Sequence, residues 1–360
     1  MTGGGGGGGG GAAGAALPRG FSRAAALARP AHASTGDEAL DAMLGGGLRR
    51  GAITELAGES TAGKTQVSLQ VSAATALAGG AALCCYSEHD FQSSRLAQIA
   101  GGLAARGFCD GTRACAATLP FAEEEGSGDT AALRRQAAEK ILLQRVDTPD
   151  DVLRALRAAL PLAERSAKAE RSGAAPPAPL KAYLRLVVVD SIAAPVREEY
   201  ENTARDMRLR AETLFRISTV LRTMAHKCGL AVLVTNHVSD VMDRADARAA
   251  AAGLALVRGE RSGAGVGGPG ALCAPALGLT WAHCVHVRLF ASRTGRTHRE
   301  PLVNATVNAA GGATGTEHPV RKLQVVFAPY LPRSECHYVI EASGVRGVRV
   351  DTCLRAPCVS

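Results

Sequence analysis

The run Gly58-Glu59-Ser60-Thr61-Ala62-Gly63-Lys64-Thr65 has the residue types and spacing of a phosphate loop, G-x-x-x-x-G-K-[ST]. Gly58 and Gly63 let the backbone curl so that consecutive N–H groups point inward and wrap a phosphate. A helix beginning at Lys64 adds its positive end to the same anion. Lys64 is placed to reach the β- and γ-phosphates of a nucleoside triphosphate, and Thr65 offers a hydroxyl to Mg²⁺. Two carboxylates could complete this chemistry. Asp190 closes the apolar run Leu184-Arg185-Leu186-Val187-Val188-Val189, where it could orient the shell of the metal ion. Glu88 follows Leu83-Cys84-Cys85-Tyr86-Ser87 and could activate a water for attack on the γ-phosphate. Spacing alone leaves Glu88 equally readable as a solvated loop acid beside Asp90.

These residues need elements to hold them. The phosphate loop is predicted to join a strand at Ala52–Leu56 to a helix running from Lys64 to about Leu77. A strand over Ala81–Ser87 delivers Glu88, and a helix follows from about Ser93 to Leu103. Farther on the pattern predicts a strand at Ile141–Val146, a helix capped by Asp150 and running to Leu160, and a strand at Leu184–Asp190 apolar on both faces. A long helix covers about Ala204 to Cys228, and an apolar strand at Ala231–Thr235 ends at Asn236-His237. Strands near Cys284–Ala291, Leu323–Ala328 and His337–Glu341 close the chain. Alternating strands and helices imply βαβ crossovers, hence an α/β fold built on a mostly parallel, twisted sheet flanked by helices.

Between these elements lie stretches of another character. Residues 1–33 are Gly- and Ala-rich with little to bury and are expected to be disordered. The core is expected over 34–350, followed by a tail at 351–360. Within the core, 110–139 is acidic and irregular, Arg171–Pro179 reads as a linker, and Ala245–Ala271 as a long loop. A short helix is expected at Asp37–Leu44 with Thr35 as its cap.

Composition narrows the function class without choosing it. Hydrophobic residues make up 46% of the 360-residue chain and charged residues 21%, enough for a packed globule. The net charge of +8 suits an acidic partner such as nucleic acid, and equally suits a soluble protein that is merely basic. Ten cysteines show no C-x-x-C pair, and Cys84-Cys85 sit side by side in an apolar run, so thiols in a reducing compartment are expected rather than disulfides or zinc. No apolar run approaches the roughly 18 residues of a membrane span. A soluble, intracellular protein without a membrane partner is expected.

The motifs extend beyond a generic phosphate loop. Gly51-Ala52-Ile53-Thr54-Glu55-Leu56-Ala57-Gly58 followed by Gly63-Lys64-Thr65-Gln66 resembles the corresponding block of eukaryotic RecA-family recombinases and their paralogues. Val189-Asp190-Ser191-Ile192-Ala193-Ala194-Pro195-Val196-Arg197, Pro275-Ala276-Leu277-Gly278-Leu279-Thr280-Trp281-Ala282 and Ala328-Pro329-Tyr330-Leu331-Pro332 with Cys336 resemble the X-ray repair cross-complementing branch of those paralogues. The resemblance covers about Thr35 to Gly347. It implies a RecA-like ATPase core with C-terminal antiparallel strands, ATP and Mg²⁺ as cofactors, and Glu88 as the catalytic glutamate. It places Asn236-His237 where the family carries Asn-Gln, a pair that senses the γ-phosphate; His237 alters that group's reach. It assigns Pro329 and Pro332 to a cap laid over a neighbour's nucleotide, with Phe327 where recombinases have an acid, and it leaves no room before the core for the recombinase's helical DNA-binding domain.

The same resemblance implies DNA-facing loops at about 197–210, with Arg197, Arg205, Arg208 and Arg210, and at about 243–274, with Arg258 and Arg261. Arginines spaced along such loops suit phosphate tracking on single-stranded or junction DNA. Ordinary solvated arginines are the plainer alternative. Phe21-Ser22-Arg23-Ala24 resembles an F-x-x-A tether that adds to a neighbour's sheet edge, burying Phe21 and Ala24. The implied function is that of a weakly hydrolysing, DNA-dependent ATPase in homologous-recombination repair and meiotic recombination. Its expected partners are the C paralogue of the recombinase and the recombinase filament, and its expected compartment is the nucleus. A nucleotide-gated adaptor that hardly hydrolyses ATP is the competing expectation.

Overall fold

The structure is a computed structural model that describes residues 32–108, 135, 137–201, 203–240, 256–257, 272–299, 317–349 and 353–355. The first elements are β1 (His32–Ala33), α1 (Glu38–Met43), β2 (Leu48–Arg49), β3 (Ile53–Gly58), α2 (Lys64–Leu77), β4 (Gly80–Tyr86) and α3 (Ser93–Ala105). Next come β5 (Ile141–Arg145), α4 (Pro149–Ser172), β6 (Tyr183–Asp190), α5 (Ala193–Glu199), α6 (Ala204–Cys228) and β7 (Ala231–Asp240). The last are β8 (Leu256–Val257), β9 (Leu272–Pro275), α7 (Gly278–Ala282), β10 (Val287–Arg299), β11 (Glu317–Phe327), β12 (Glu335–Glu341), β13 (Gly344–Val348) and β14 (Cys353–Arg355).

Among the described residues the main sheet runs β13-β12-β11-β10-β3-β7-β6-β4-β5. The stretch from β10 to β5 is parallel throughout, and β11, β12 and β13 continue it in antiparallel pairing. The expected α/β class, with its parallel sheet and C-terminal antiparallel strands, is what the chain adopts. The period-two alternation of strands divides the core between two faces. Cys84, Leu186, Val188 and Leu233 pack with α1, α2 and α3, whereas Cys85, Val187, Val189 and Val234 pack with α4 and α6. The adjacent cysteines therefore face opposite layers. Both are buried thiols, and burial pushes each up to about 12.

Several boundaries differ from expectation, each for a local reason. Helix α4 is capped by Thr148, not Asp150: its hydroxyl accepts from Asp151 N, Asp151 returns a bond to Thr148 N, and Pro149 takes the first turn. The helix passes through Pro161, where it was expected to stop, to Gly173 at φ 67°, so the linker begins only there. Burial of Ala163, Ser166 and Ala167 outweighs the lost N–H. Asp37, not Thr35, caps α1, accepting from Ala39 N and Leu40 N, while Thr35 Oγ1 donates to Asp41 at 2.7 Å. Strand β7 runs on to Asp240 because β9 pairs antiparallel with Val238, Ser239 and Asp240. The acidic stretch at 110–134, most of the 243–274 loop and residues 1–31 and 356–360 lie outside the described residues; within the expected tail, Cys353–Arg355 instead form β14, antiparallel to β10.

Candidate nucleotide-binding site

The phosphate loop connects β3 to α2, as its sequence requires. Gly63 stands at φ 95° as the residue before α2, and no side chain caps that helix. The first N–H groups of α2 are thus left to an external acceptor, which is the condition for binding an anion there. A Cβ on Gly58 would lie 2.5 Å from the Ala291 carbonyl oxygen, so the loop's entry can pass β10 only as glycine. Lys64 is buried, and its Nζ donates to Gly58 O and Glu59 O, each at 3.0 Å. Burial lowers its pKa, opposed by the charges of Asp190, Glu88 and Glu59. Glu59 turns its carboxylate toward β10, accepting from Arg293 N at 3.0 Å, so its part in the loop is played by backbone. Ser60 and Thr61 stand exposed at the apex and Ala62 is buried beneath it.

Strand alternation brings the remaining groups to the α2 side of the sheet. Asp190 ends β6 and accepts from Thr235 Oγ1 at 2.5 Å, with Thr65 beside it. Desolvation raises its pKa, while the Thr235 and Thr65 hydroxyls and Lys64 pull the other way. A hydroxyl and a carboxylate side by side are hard oxygen donors of the kind Mg²⁺ takes. Glu88 adopts φ 59°, the left-handed region, in which a residue other than glycine is uncommon and is often found at a functional site. Its Oε1 accepts from Ser191 Oγ at 2.8 Å and lies 2.7 Å from His237 Nε2. The His237 bond is the chief reason its pKa falls to about 2.

Asn236 and His237 part company here. As successive residues of β7 they face opposite sides. His237 meets Glu88, whereas Asn236 is fully buried and donates to Glu55 Oε1 at 2.7 Å. Glu55 also pairs with buried Arg288 at 2.5 Å. The sensor pair implied by the family pattern is, in this chain, one site residue and one internal strut. Neither Glu55 nor Arg288 was identified as part of this network from sequence, where Glu55 reads as one member of a strand motif.

A cavity of about 110 Å³ opens beside Thr65, Glu88, Asp190 and Ser191 and reaches Ser68 and Ser72 of α2. The buried Ser68 hydroxyl has no hydrogen-bond partner among the described residues. A cavity of that size has room for several waters beside the Glu88 carboxylate.

The four arginines assigned to the first DNA-facing loop all stand on helices. Arg197 is in the last turn of α5, and Arg205, Arg208 and Arg210 occupy the first two turns of α6, which Thr203 caps directly. Only residues 200–203 lie between the two helices. Arg197, Arg205 and Arg208 are exposed; Arg210 is half-buried and donates to Ala276 O at 2.7 Å. Tyr200, the aromatic that follows α5, bonds Thr213 Oγ1 at 2.9 Å. Arg258, Arg261, Phe21 and Ala24 lie outside the described residues. Pro329 and Pro332 lie in the connection between β11 and β12, where the Arg49 guanidinium sits 4.4 Å over the Tyr330 ring.

A loop-to-helix anion cradle, a strand-end carboxylate beside its threonine and a second carboxylate just past the end of the neighbouring strand define a RecA-type P-loop nucleotide-binding core. The Rad51 family profile matches residues 29–116 and 168–259. The chain belongs to that family. It is 28% identical to the DNA repair protein XRCC3 homolog of Arabidopsis thaliana, over 88% of this chain and 93% of the relative. It is 32% identical to DNA repair protein XRCC3 of Bos taurus, over 89% of this chain and 76% of the relative. Identity to DNA repair protein RAD51 homolog 2 of Mus musculus is 28%, over 80% and 74%.

Proposed function

We propose that the chain is an ATP- and DNA-binding paralogue of the eukaryotic recombinase, acting in homologous-recombination repair of double-strand breaks and crosslinks and in meiotic recombination. The observation that carries this reading is the convergence of Lys64, Thr65, Asp190 and Glu88 on one end of the parallel sheet. Lys64 and the α2 N-terminus would hold the phosphates, with Thr65 and Asp190 holding Mg²⁺. Bound ATP supplies the phosphoanhydride to be cleaved. Glu88 stands beside the cavity of about 110 Å³ as the base that orients the attacking water. Its carboxylate is already engaged by His237 and Ser191, which lowers its basicity and favours slow turnover.

Membership of the family and the paralogue relatives support DNA as a ligand, single-stranded or at junctions, with Arg197, Arg205 and Arg208 exposed toward it and Arg258 and Arg261 on the second loop. The proposal further includes nuclear residence, assembly with the C paralogue of the recombinase, and assistance to the recombinase filament and to processing of strand-exchange junctions. Strand β5 is the sheet's outermost parallel strand, and its Leu143 is 46% exposed, a surface suited to adding an F-x-x-A segment such as Phe21-Ser22-Arg23-Ala24 from a neighbour. Phe327, 55% exposed beside Pro329 and Pro332, favours a neighbour with an apolar contact at the cap. Among the described residues no helix is long and apolar enough to cross a membrane. The engaged Glu88 also favours a second reading, a nucleotide-gated adaptor whose ATP holds an interface together without hydrolysis.

Binding of ATP with Mg²⁺, measured by calorimetry on wild type and Lys64→Ala, tests the reading. Micromolar binding lost in the variant is expected. Equal behaviour of the two proteins would remove the nucleotide site from the account.

A further inference from the structure

The apex of the phosphate loop is held from outside the loop. Tyr338 Oη donates to Ala62 O at 2.6 Å, and Arg321 Nε donates to the preceding carbonyl, Thr61 O, at 3.2 Å. Arg293 Nη1 adds a bond to Thr61 Oγ1 at 3.3 Å. Thr61 stands at φ 61°, a conformation a β-branched residue adopts only where its surroundings impose it. Ile340 closes the same side: a Cβ on Gly63 would come within 2.5 Å of its Cδ1. Tyr338 is fully buried, and burial raises its phenol pKa, so the hydroxyl stays protonated as a donor.

Arg321 and Tyr338 sit directly opposite each other on β11 and β12. Those two strands are joined by the segment holding Ala328, Pro329, Tyr330, Leu331 and Pro332, with exposed Phe327 at its start. One antiparallel pair therefore grips the apex of the phosphate loop through Arg321 and Tyr338 and presents the cap segment where its two strands join.

We propose that Arg321 and Tyr338 are positioning residues for the nucleotide: they set the curl of Thr61 and Ala62, and the β11–β12 pair carries the state of the loop to residues 328–332. The proposal rests on the phosphate loop being a nucleotide site.

The test uses the full chain, wild type and the variants Tyr338→Phe and Arg321→Gln. Affinity for a fluorescent ATP analogue with Mg²⁺ is titrated, and tryptic cleavage after the exposed Arg333 is followed with and without saturating analogue. Wild type should bind, and binding should slow cleavage at Arg333. Each variant should bind about 3- to 10-fold more weakly, as loss of one hydrogen bond implies, and should show less slowing even when saturated. Tyr338→Phe keeps the buried ring and should melt close to wild type, so it carries the test alone if Arg321→Gln does not fold. Variants matching wild type in both affinity and protection would overturn the positioning role while leaving the nucleotide site standing. A wild-type chain that does not bind the analogue would overturn the nucleotide reading, and this proposal with it.

Discussion

His237 Nε2 and Glu88 Oε1 lie 2.7 Å apart, joining the end of β4 to β7 across the mouth of the phosphate site. The pair holds Glu88, the carboxylate proposed to orient water, in a charged, weakly basic state, with its pKa lowered to about 2. A base so engaged is a poor proton acceptor.

Replacing His237 by alanine should move the Glu88 titration upward, toward the ordinary carboxylate range, because the His237 bond is the largest cause of the depression. The sign for stability follows from the same shift. A carboxylate whose pKa is lowered on folding stabilises the protein fully above the unfolded value near 4.5, and that contribution fades as pH falls toward 2. Carboxyl-carbon NMR on wild type and His237→Ala reads the shift directly; an unmoved Glu88 would show that Ser191 alone sets it.

Glu55 and Arg288 form a buried pair, completed by Asn236. Arg288→Met should destabilise the fold by about 3–5 kcal/mol, because it leaves a buried carboxylate without its countercharge. Glu55→Gln with Arg288→Met together should cost less than either single change predicts. Urea denaturation of the cycle measures this, and additive losses would mean the two residues act independently.

Gly58→Ala should abolish nucleotide binding and also lower the melting temperature, since the new methyl meets the backbone oxygen of Ala291 on β10 rather than a movable side chain. Thermal unfolding with and without ATP and Mg²⁺ separates the two effects. A variant that melts like wild type would show that β10 yields at that point.

What sequence conveys of this site divides by range. The phosphate loop was legible because its chemistry lies within consecutive residues, flanked by a strand and a helix. Asp190 stood out only in company: an acid ending a run of valines commonly just ends a strand, and the phosphate loop is what gave it a candidate role. The Glu88–His237 contact was not, since 149 positions separate the two and only the parallel pairing of β6 with β4 and β7 aligns them. The parting of Asn236 from His237 depends on β7 continuing to Asp240, which β9 enforces from outside the segment. The helix over Ala204–Cys228 was legible from its pattern; it is the loop at 197–210 implied by the resemblance that gives way to it, leaving Arg205, Arg208 and Arg210 on α6. The grip of Tyr338 and Arg321 on the phosphate loop spans more than 250 positions and leaves no local pattern.

Steady-state ATP hydrolysis, with and without single-stranded DNA, by wild type, His237→Gln and Glu88→Gln tests the central claim most directly. The expected result is slow turnover in wild type, a rate several-fold higher in His237→Gln, and loss of DNA-stimulated turnover in Glu88→Gln. Equal rates in all three proteins, with nucleotide bound, would contradict a catalytic Glu88 restrained by His237 and leave the adaptor reading in its place.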